Sequence, residues 1–451
     1  MGTTVVWFRR DLRLSDNPAL AAAVRRAGPG GAVVPLFCSD DRLRRPSGAA
    51  RLAFLSGCLA ALDDAMDGHL VVRAGPPERV VAGVAREVGA EAVFVAEDFG
   101  PYGRERDARV EGVLGRHDVG LCRVGSPYAV PPGEIVNRAG EPYRVFTPFS
   151  RAWRAHGWPD PVPAPRHVRW ATGVDGSGVP DAPRVAAELP PSGEAAGRRA
   201  VRRFWERGLE GYGGDRDRPD LDATSRLSPY LKWGCIHPRQ LLARLGRGTG
   251  HDTFRTELCW REFYADVLWH RPDTVRTAFD PVMRAMRVDR GAAADEAFLA
   301  WAEGRTGYPI VDAGMRQLVA EGWMHNRVRM IVASFLVKDL HLDWARGARW
   351  FMEHLVDGDL ASNHHGWQWV AGTGTDAAPY FRIFNPVNQG ERYDPHGDYV
   401  RRWVPELRGI GGKEVHRPWA LDDPPEGYPP PMVDHADERE EALRRYAELR
   451  R

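Results

Sequence analysis

One change of pattern constrains this chain more than any other. Up to about residue 125, short apolar runs alternate with helical periodicity, and beyond about residue 197 the helical patterns continue while strands vanish. The apolar runs fall at 4–8, 32–37, 69–72, 92–96 and 121–124, with helical patterns between them, for example at 51–65 and 78–88. Continuous apolar strands separated by helices are what a parallel sheet covered on both faces requires. The expected fold class is therefore α/β, with a doubly wound parallel sheet in residues 1–130. A linker over 131–196 and an all-helical domain over 197–451 follow. Prolines at 159, 161, 163, 165, 180, 183, 190 and 191 mark the connection. Gly213-Gly214, Pro229, Pro238, Pro272 and Pro309 punctuate the helical part, whose last helix is expected at 438–450.

Composition excludes more than it assigns. The 451 residues carry 62 basic and 61 acidic side chains, a net charge of +1, so no polycationic surface announces a nucleic acid. Lysine stands only at 232, 338 and 413, and the arginines that make up the rest offer forked donors suited to phosphate and carboxylate. Cysteines 38, 58, 122, 235 and 259 are scattered, without a Cys-x-x-Cys pair or a histidine at ligand spacing. That argues against zinc, an iron–sulfur cluster or a disulfide framework and fits a reducing cytosol, so a cytoplasmic location is expected; a monomer is expected as well. The N-terminus enters a strand at once, and no run of about 18 apolar residues could span a membrane. The turn after the first strand is Arg9-Arg10-Asp11-Leu12-Arg13 rather than Gly-x-Gly-x-x-Gly, so a dinucleotide is not expected on the sheet in Rossmann fashion.

Four stretches carry chemistry. From 357 to 386 the chain crowds Asp357, Asp359, Asn363, two histidines, Trp367 and Trp369 together, then Gly-Thr-Gly-Thr-Asp and a Pro-Tyr-Phe-Arg turn. Polar groups set beside large aromatics need partners if buried, so the stretch reads as a cofactor wall or, more plainly, as a polar loop with two aromatic anchors. Thr224, Ser225, Arg226, Leu227 and Ser228 precede Pro229, which suits a phosphate or an ordinary helix cap. Glu257 and Trp260 share a helical face, with Arg261 beside them, either as a platform for a base or as a packing stripe. Gly322 to Met330 opens a helix expected to run to about Leu340, with Asn326 and Met330 on one face.

These motifs lie in order between Trp7-Phe8-Arg9-Arg10-Asp11-Leu12-Arg13-Leu14-Ser15-Asp16-Asn17 and Tyr428-Pro429-Pro430-Pro431-Met432-Val433-Asp434-His435. The whole set resembles the DNA photolyase/cryptochrome family, most closely its class I cyclobutane pyrimidine dimer photolyases. The resemblance implies FAD, active when reduced, folded into the helical domain. Tyr212, Thr224, Ser225, Arg226, Leu227 and Ser228 would hold its phosphates, and Trp260, Arg261, Arg329, Asp357, Asp359 and Asn363 would complete its site. It further implies that ultraviolet-damaged DNA is the partner, met by Glu257, Trp260, Asn326, Arg327, Met330 and Trp369. Glu257, Asn326, Met330 and Asn363 would be the catalytic set. Arg51, Asp98 and Tyr102 resemble the site of an antenna chromophore, 8-hydroxy-5-deazaflavin in preference to methenyltetrahydrofolate. Trp367 and Trp344 match the inner tryptophans of the family's electron chain. The usual surface member is missing, because no tryptophan stands between 269 and 301, where Val288 or Gly291 falls near the expected place. Trp301 is the alternative exit. Within the family, Asn363 and the set of Glu257, Trp260 and Met330 favour repair over a cryptochrome-type photoreceptor. No nicotinamide fingerprint supports a dark oxidoreductase.

Overall fold

The computed structural model describes residues 2–377, 379–380 and 382–449. Ala378 and Phe381 of the 357–386 stretch, and Arg450 at the expected end of the last helix, lie outside the described residues. The chain divides into two compact units. The first comprises Met1–Val185, Pro190–Glu206 and Ser225–Pro272, the second Ala186–Leu189, Arg207–Thr224 and Asp273–Arg451.

Valine-rich runs with every second and third neighbour apolar form the sheet of the first unit: β1 (Thr3–Phe8), β2 (Ala32–Ser39), β3 (Val71–Ala74), β4 (Ala92–Val95) and β5 (Gly120–Arg123). All pairings are parallel and the order is β3-β2-β1-β4-β5, with Val5 opposite both Val34 and Val93. The α/β class expected from the pattern is what the chain adopts. One boundary moves for a local reason. The run at 69–72 yields a strand only from Val71, because the Asp63 carboxylate accepts the Leu70 amide at 2.9 Å and takes it out of the ladder.

The connection between sheet and helices is more structured than its prolines suggest. Phe146–His156 forms a helix, and Ala171 donates to the Val33 carbonyl while Val33 donates to that of Arg169, both at 2.9 Å. That segment adds a rung to β2. The stretch 9–17 joins the sheet to residues 233–239 of the same unit. Leu12 donates to the Trp233 carbonyl at 3.1 Å, Arg13 Nη1 to the Gly234 carbonyl at 2.9 Å, and Arg239 Nη2 to Asp16 Oδ1 at 2.8 Å. Gly234 sits at φ +66°, and a Cβ there would lie 2.0 Å from the Arg10 carbonyl oxygen, so only glycine permits this approach.

The second unit is helical around a core that includes Val311, Leu318, Val332, Phe335, Phe351 and Trp367. Its central helices are Pro309–Glu321, Asn326–Ser334, Trp344–His354 and Leu360–Ala371. The helix expected to reach Leu340 is α-helical only to Ser334. A π turn, Phe335–Asp339, follows it, and buried Lys338 there donates to the Arg382 carbonyl at 3.0 Å. Among the described residues no helix is long and apolar enough to cross a membrane.

Candidate functional site

Residues of the second unit build one wall. Asp359 caps the Leu360–Ala371 helix, its carboxylate accepting the Ser362 amide at 3.2 Å. Two residues earlier, Asp357 Oδ2 accepts from Arg329 Nη2 at 2.9 Å, while Arg329 Nε donates to the Met324 carbonyl at 2.8 Å. The other carboxylate oxygen of Asp357 is buried and has no hydrogen-bond partner among the described residues. A buried acceptor left open is costly unless a donor arrives. Asn363 fixes its amide by donating Nδ2 to the Ala348 carbonyl at 2.9 Å. The Gly372-Thr373-Gly374 run closes the helix, with Thr373 and Gly374 both donating to the Gln368 carbonyl, at 3.0 and 3.1 Å.

Across the start of the Asn326–Ser334 helix, the His325 imidazole caps the Arg327 amide at 3.2 Å, which leaves Asn326 exposed and Met330 half-buried on one face. Arg327 pairs with Asp217 at 2.9 Å, lies 4.6 Å over the Tyr393 ring, and approaches Met330 sulfur at 3.7 Å. Tyr212, buried, begins a short helical turn, and Thr224 ends the same segment of this unit.

The first unit holds the remainder. Arg226 adopts φ +48°, and Ser225 Oγ accepts the Leu227 amide at 3.4 Å just before Ser228 opens the Ser228–Trp233 helix. Glu257, Trp260 and Arg261 lie on the Thr249–His270 helix. Trp260 stacks on Phe146, with ring centroids 3.6 Å apart and planes at 5°, so one indole face is covered and a base would have to stack on the other. Arg261 donates to the Pro127 and Leu231 carbonyls, at 3.1 and 3.3 Å, and lies 4.6 Å over the Tyr128 ring. Its neighbour Glu262 is a structural pin. Fully buried, it accepts from Trp153 Nε1 at 2.6 Å and from the Val130 amide at 3.1 Å, and burial pushes its carboxyl up.

Of the residues expected to hold an antenna, Asp98 and Tyr102 follow the carboxyl ends of parallel strands, where ligands of open α/β sheets bind. Asp98 follows β4 and accepts from Arg106 Nη2 at 3.0 Å. Tyr102 donates to Asp40 just beyond β2, and desolvation raises its phenol above the usual range. Arg51 is buried on the Ala49–Asp64 helix.

Several tryptophans of the second unit share its core, and two of them, Trp301 and Trp367, meet ring to ring. Trp367 meets Trp301 at 6.1 Å between centroids and Phe351 at 5.0 Å. Gly347 makes room for it, since a Cβ there would stand 2.1 Å from Trp367 Cη2. Trp344 opens the Trp344–His354 helix and is buried. Trp369 is half-buried against the same core. Trp301, expected as an exit, has 0 % exposure and donates Nε1 to the Val332 carbonyl at 3.0 Å, so it lies inside the core. Val288 is half-buried and Gly291 is exposed at the start of the Ala292–Ala302 helix.

Residues 4–166 match the family model described as DNA photolyase, and residues 254–448 match that of the FAD binding domain of DNA photolyase. The chain is 44% identical over 460 residues to the deoxyribodipyrimidine photo-lyase of Streptomyces griseus, covering 97% of this chain and 98% of that one. It is 39% identical to the Escherichia coli enzyme of the same name, with both chains covered completely. This chain belongs to the photolyase/cryptochrome family. Among solved structures it resembles the class III photolyase of Agrobacterium tumefaciens, with a TM-score of 0.92 and 38% identity over 100% of this chain and 98% of that one. The archaeal photolyase of Sulfolobus tokodaii, crystallised with two FAD molecules, matches at a TM-score of 0.88 and 30% identity, covering 99% and 100%.

The photolyase residues present fit FAD. The open buried oxygen of Asp357, the cation beside it and the fixed amide of Asn363 form a donor-and-acceptor set suited to a flavin ring. Some of what surrounds these photolyase positions escaped the sequence reading. Phe146 hid in the proline-rich connection, although the Phe-x-Pro-Phe spacing is a signal of packed aromatics. Asp217 and Gly347 carried none, because a tertiary ion pair and a close approach leave no local pattern.

Proposed function

We propose that this chain is a light-driven DNA-repair enzyme, a carbon–carbon lyase that splits cyclobutane pyrimidine dimers in ultraviolet-damaged DNA. The observation that carries the reading is likeness over essentially the whole chain to enzymes named deoxyribodipyrimidine photo-lyase. The chemistry supplied by bound reduced FAD is a light-driven, reversible one-electron donation to the lesion. The protein's share is binding, orientation and electrostatics. In this reading Tyr212 and residues 224–228 hold the cofactor's phosphates. Arg329 and Asp357 form a fixed charge pair beside the ring, Asp359 braces the helix that carries Asn363, and Arg261 fixes the backbone around Trp260. Trp260 offers its uncovered face to a flipped-out base, Glu257 hydrogen-bonds the lesion, and Asn326, Arg327, Met330 and Trp369 line its surroundings. Arg51, Asp98 and Tyr102 hold an antenna. A deazaflavin is the first choice and a folate the second, while the second FAD of the Sulfolobus tokodaii structure makes a flavin a further one to test.

The test follows dimer loss from ultraviolet-damaged oligothymidine with and without blue light. Glu257→Ala is expected to lower the repair yield per bound complex. Trp260→Ala should chiefly weaken damaged-DNA binding, by about 1–3 kcal/mol. Equal repair in darkness, or wild-type behaviour in both variants, would overturn the assignment. A flavin-loaded protein that repairs nothing under light would instead favour the photoreceptor reading, which a Synechocystis cryptochrome of the same fold keeps in play at 27% identity and a TM-score of 0.89.

A further inference from the structure

The tryptophan group of the second unit has an outlet that the sequence motifs do not mark. Trp367 contacts Trp301 at 6.1 Å, and Trp301 contacts Phe298 at 5.6 Å with planes tilted by 36°. Phe298 in turn meets Trp350 edge-on at 6.0 Å. The path therefore runs from a buried indole to a half-buried one, through a half-buried phenyl ring on the Ala292–Ala302 helix. Trp301 cannot be the terminus, because a cation formed on a ring with no exposure has no solvent to stabilise it. Trp350 can. It is partly exposed, the His354 ring lies 4.1 Å from its own, and Nδ1 of His354 is 2.9 Å from its carbonyl oxygen. One charge opposes the route: Arg346 sits 4.4 Å over Phe298, but Asp295 pairs with it at 2.9 Å and offsets that charge.

We infer that Trp350 is the surface terminus of a one-electron path Trp350–Phe298–Trp301–Trp367, standing in for the tryptophan missing near Val288. The inference rests on the proposed flavin site, whose photo-oxidising power creates the electron vacancy on Trp367. One electron leaves the indole of Trp350 and fills the vacancy by way of Trp301, with Phe298 as a bridge rather than a stopping point. No bond breaks. The Nε1 proton of Trp350 is shielded from solvent, so the oxidised ring is held as its cation radical. An external thiol then returns one electron to it and is itself oxidised.

The experiment uses the FAD-loaded full chain and reads tryptophan radicals by transient absorption, followed by mass-spectrometric mapping of oxidised tryptophans after irradiation without thiol. Trp350→Phe is expected to lose most of the long-lived, thiol-quenchable tryptophan signal and the oxidation adduct at 350. Trp350→Tyr should restore a long-lived signal with a tyrosyl spectrum, its phenolic proton passing to water, which no purely structural role would produce. Trp344→Phe should keep the tryptophan signal. A long-lived radical unchanged in Trp350→Phe, or abolished only in Trp344→Phe, overturns this inference and leaves the functional reading standing. A wild-type protein that forms no tryptophan radical under light, with FAD bound, also overturns this inference, whereas the functional reading falls only if dimers are not lost under light.

Discussion

The arginines of the two units are used in different ways. In the first unit Arg13, 2 % exposed, donates to the Asp16 and Gly234 carbonyls, and buried Arg106 is shared between Asp98 and Asp107. Arg239 is likewise buried, against Asp16 and His237. These guanidinium groups are buried within their own unit and spend their donors on its carbonyls, carboxylates and a histidine. In the second unit Arg327 and Arg329 are half-buried, each with one carboxylate partner. Beside Arg329 stands the open oxygen of Asp357. The same residue type thus fixes structure where it is buried among acceptors of its own unit, and offers a site where it stays half-buried. Conspicuous charge in a sequence motif does not separate the two cases; burial does.

The largest way to break this contrast is at Arg13. Arg13→Met keeps most of the volume but removes the donors to the buried carbonyls of residues 16 and 234, while Asp16 keeps its pairing with Arg239. Each buried acceptor left open costs about 1–3 kcal/mol. Urea unfolding should show a loss of that order, whereas Arg327→Ala should cost far less. If the two variants unfold alike, burial is not what distinguishes these arginines.

This is also where the sequence proved hardest to interpret. The short apolar runs placed all five strands within two residues, because strands of a parallel sheet covered by helices leave a continuous apolar record. The arginine-rich turn at 9–13 told only that a dinucleotide fingerprint is missing from the first turn. Its role emerges from tertiary partners far along the chain, Asp107 for Arg9 and the Trp233 and Gly234 carbonyls for Leu12 and Arg13. Asp357 and Arg329 were legible as a pair only by family resemblance, since spacing across 28 residues carries no geometric message. The Phe-x-Pro-Phe spacing marks Phe146 as a packed aromatic, but nothing in it names Trp260 as the ring it stacks on.

A second measurement sharpens the contrast inside the helical unit, where the two adjacent histidines of the 357–386 stretch invite a catalytic reading. His365 is buried, with Nε2 2.9 Å from Thr274 Oγ1 and Nδ1 2.9 Å from the Ala361 carbonyl. Desolvation lowers its pKa from 6.5 to about 4. An unfolded chain binds this proton below pH 6.5 and the folded one only near 4, so the stability it supports is complete above 6.5. It declines as pH falls through that window, by about 3 kcal/mol in all. His365→Gln should flatten the pH dependence of unfolding between 6.5 and 4 relative to wild type. An unchanged slope would mean that this histidine is solvated and open to chemistry after all.

The smallest effect on the fold is the most telling for the site. Arg327 pairs with Asp217 at 2.9 Å and lies over Tyr393 at 4.6 Å, yet the guanidinium stays partly exposed beside Asn326 and Met330. A pair of this kind contributes about 0–1 kcal/mol to stability, so Arg327→Ala should shift unfolding by no more than that. If the group serves a DNA phosphate, binding of damaged DNA should weaken and the slope of log K against log salt should fall by about 1. Asp217→Asn makes the converse change. It keeps the cation and removes its internal competitor, so affinity at low salt should rise while the slope is kept or steepened. Titrating both variants against ultraviolet-damaged oligonucleotide at several salt concentrations separates the roles. Opposite shifts place Arg327 at the DNA, whereas unchanged slopes in both variants would return it to the structural class that Arg13 and Arg106 define.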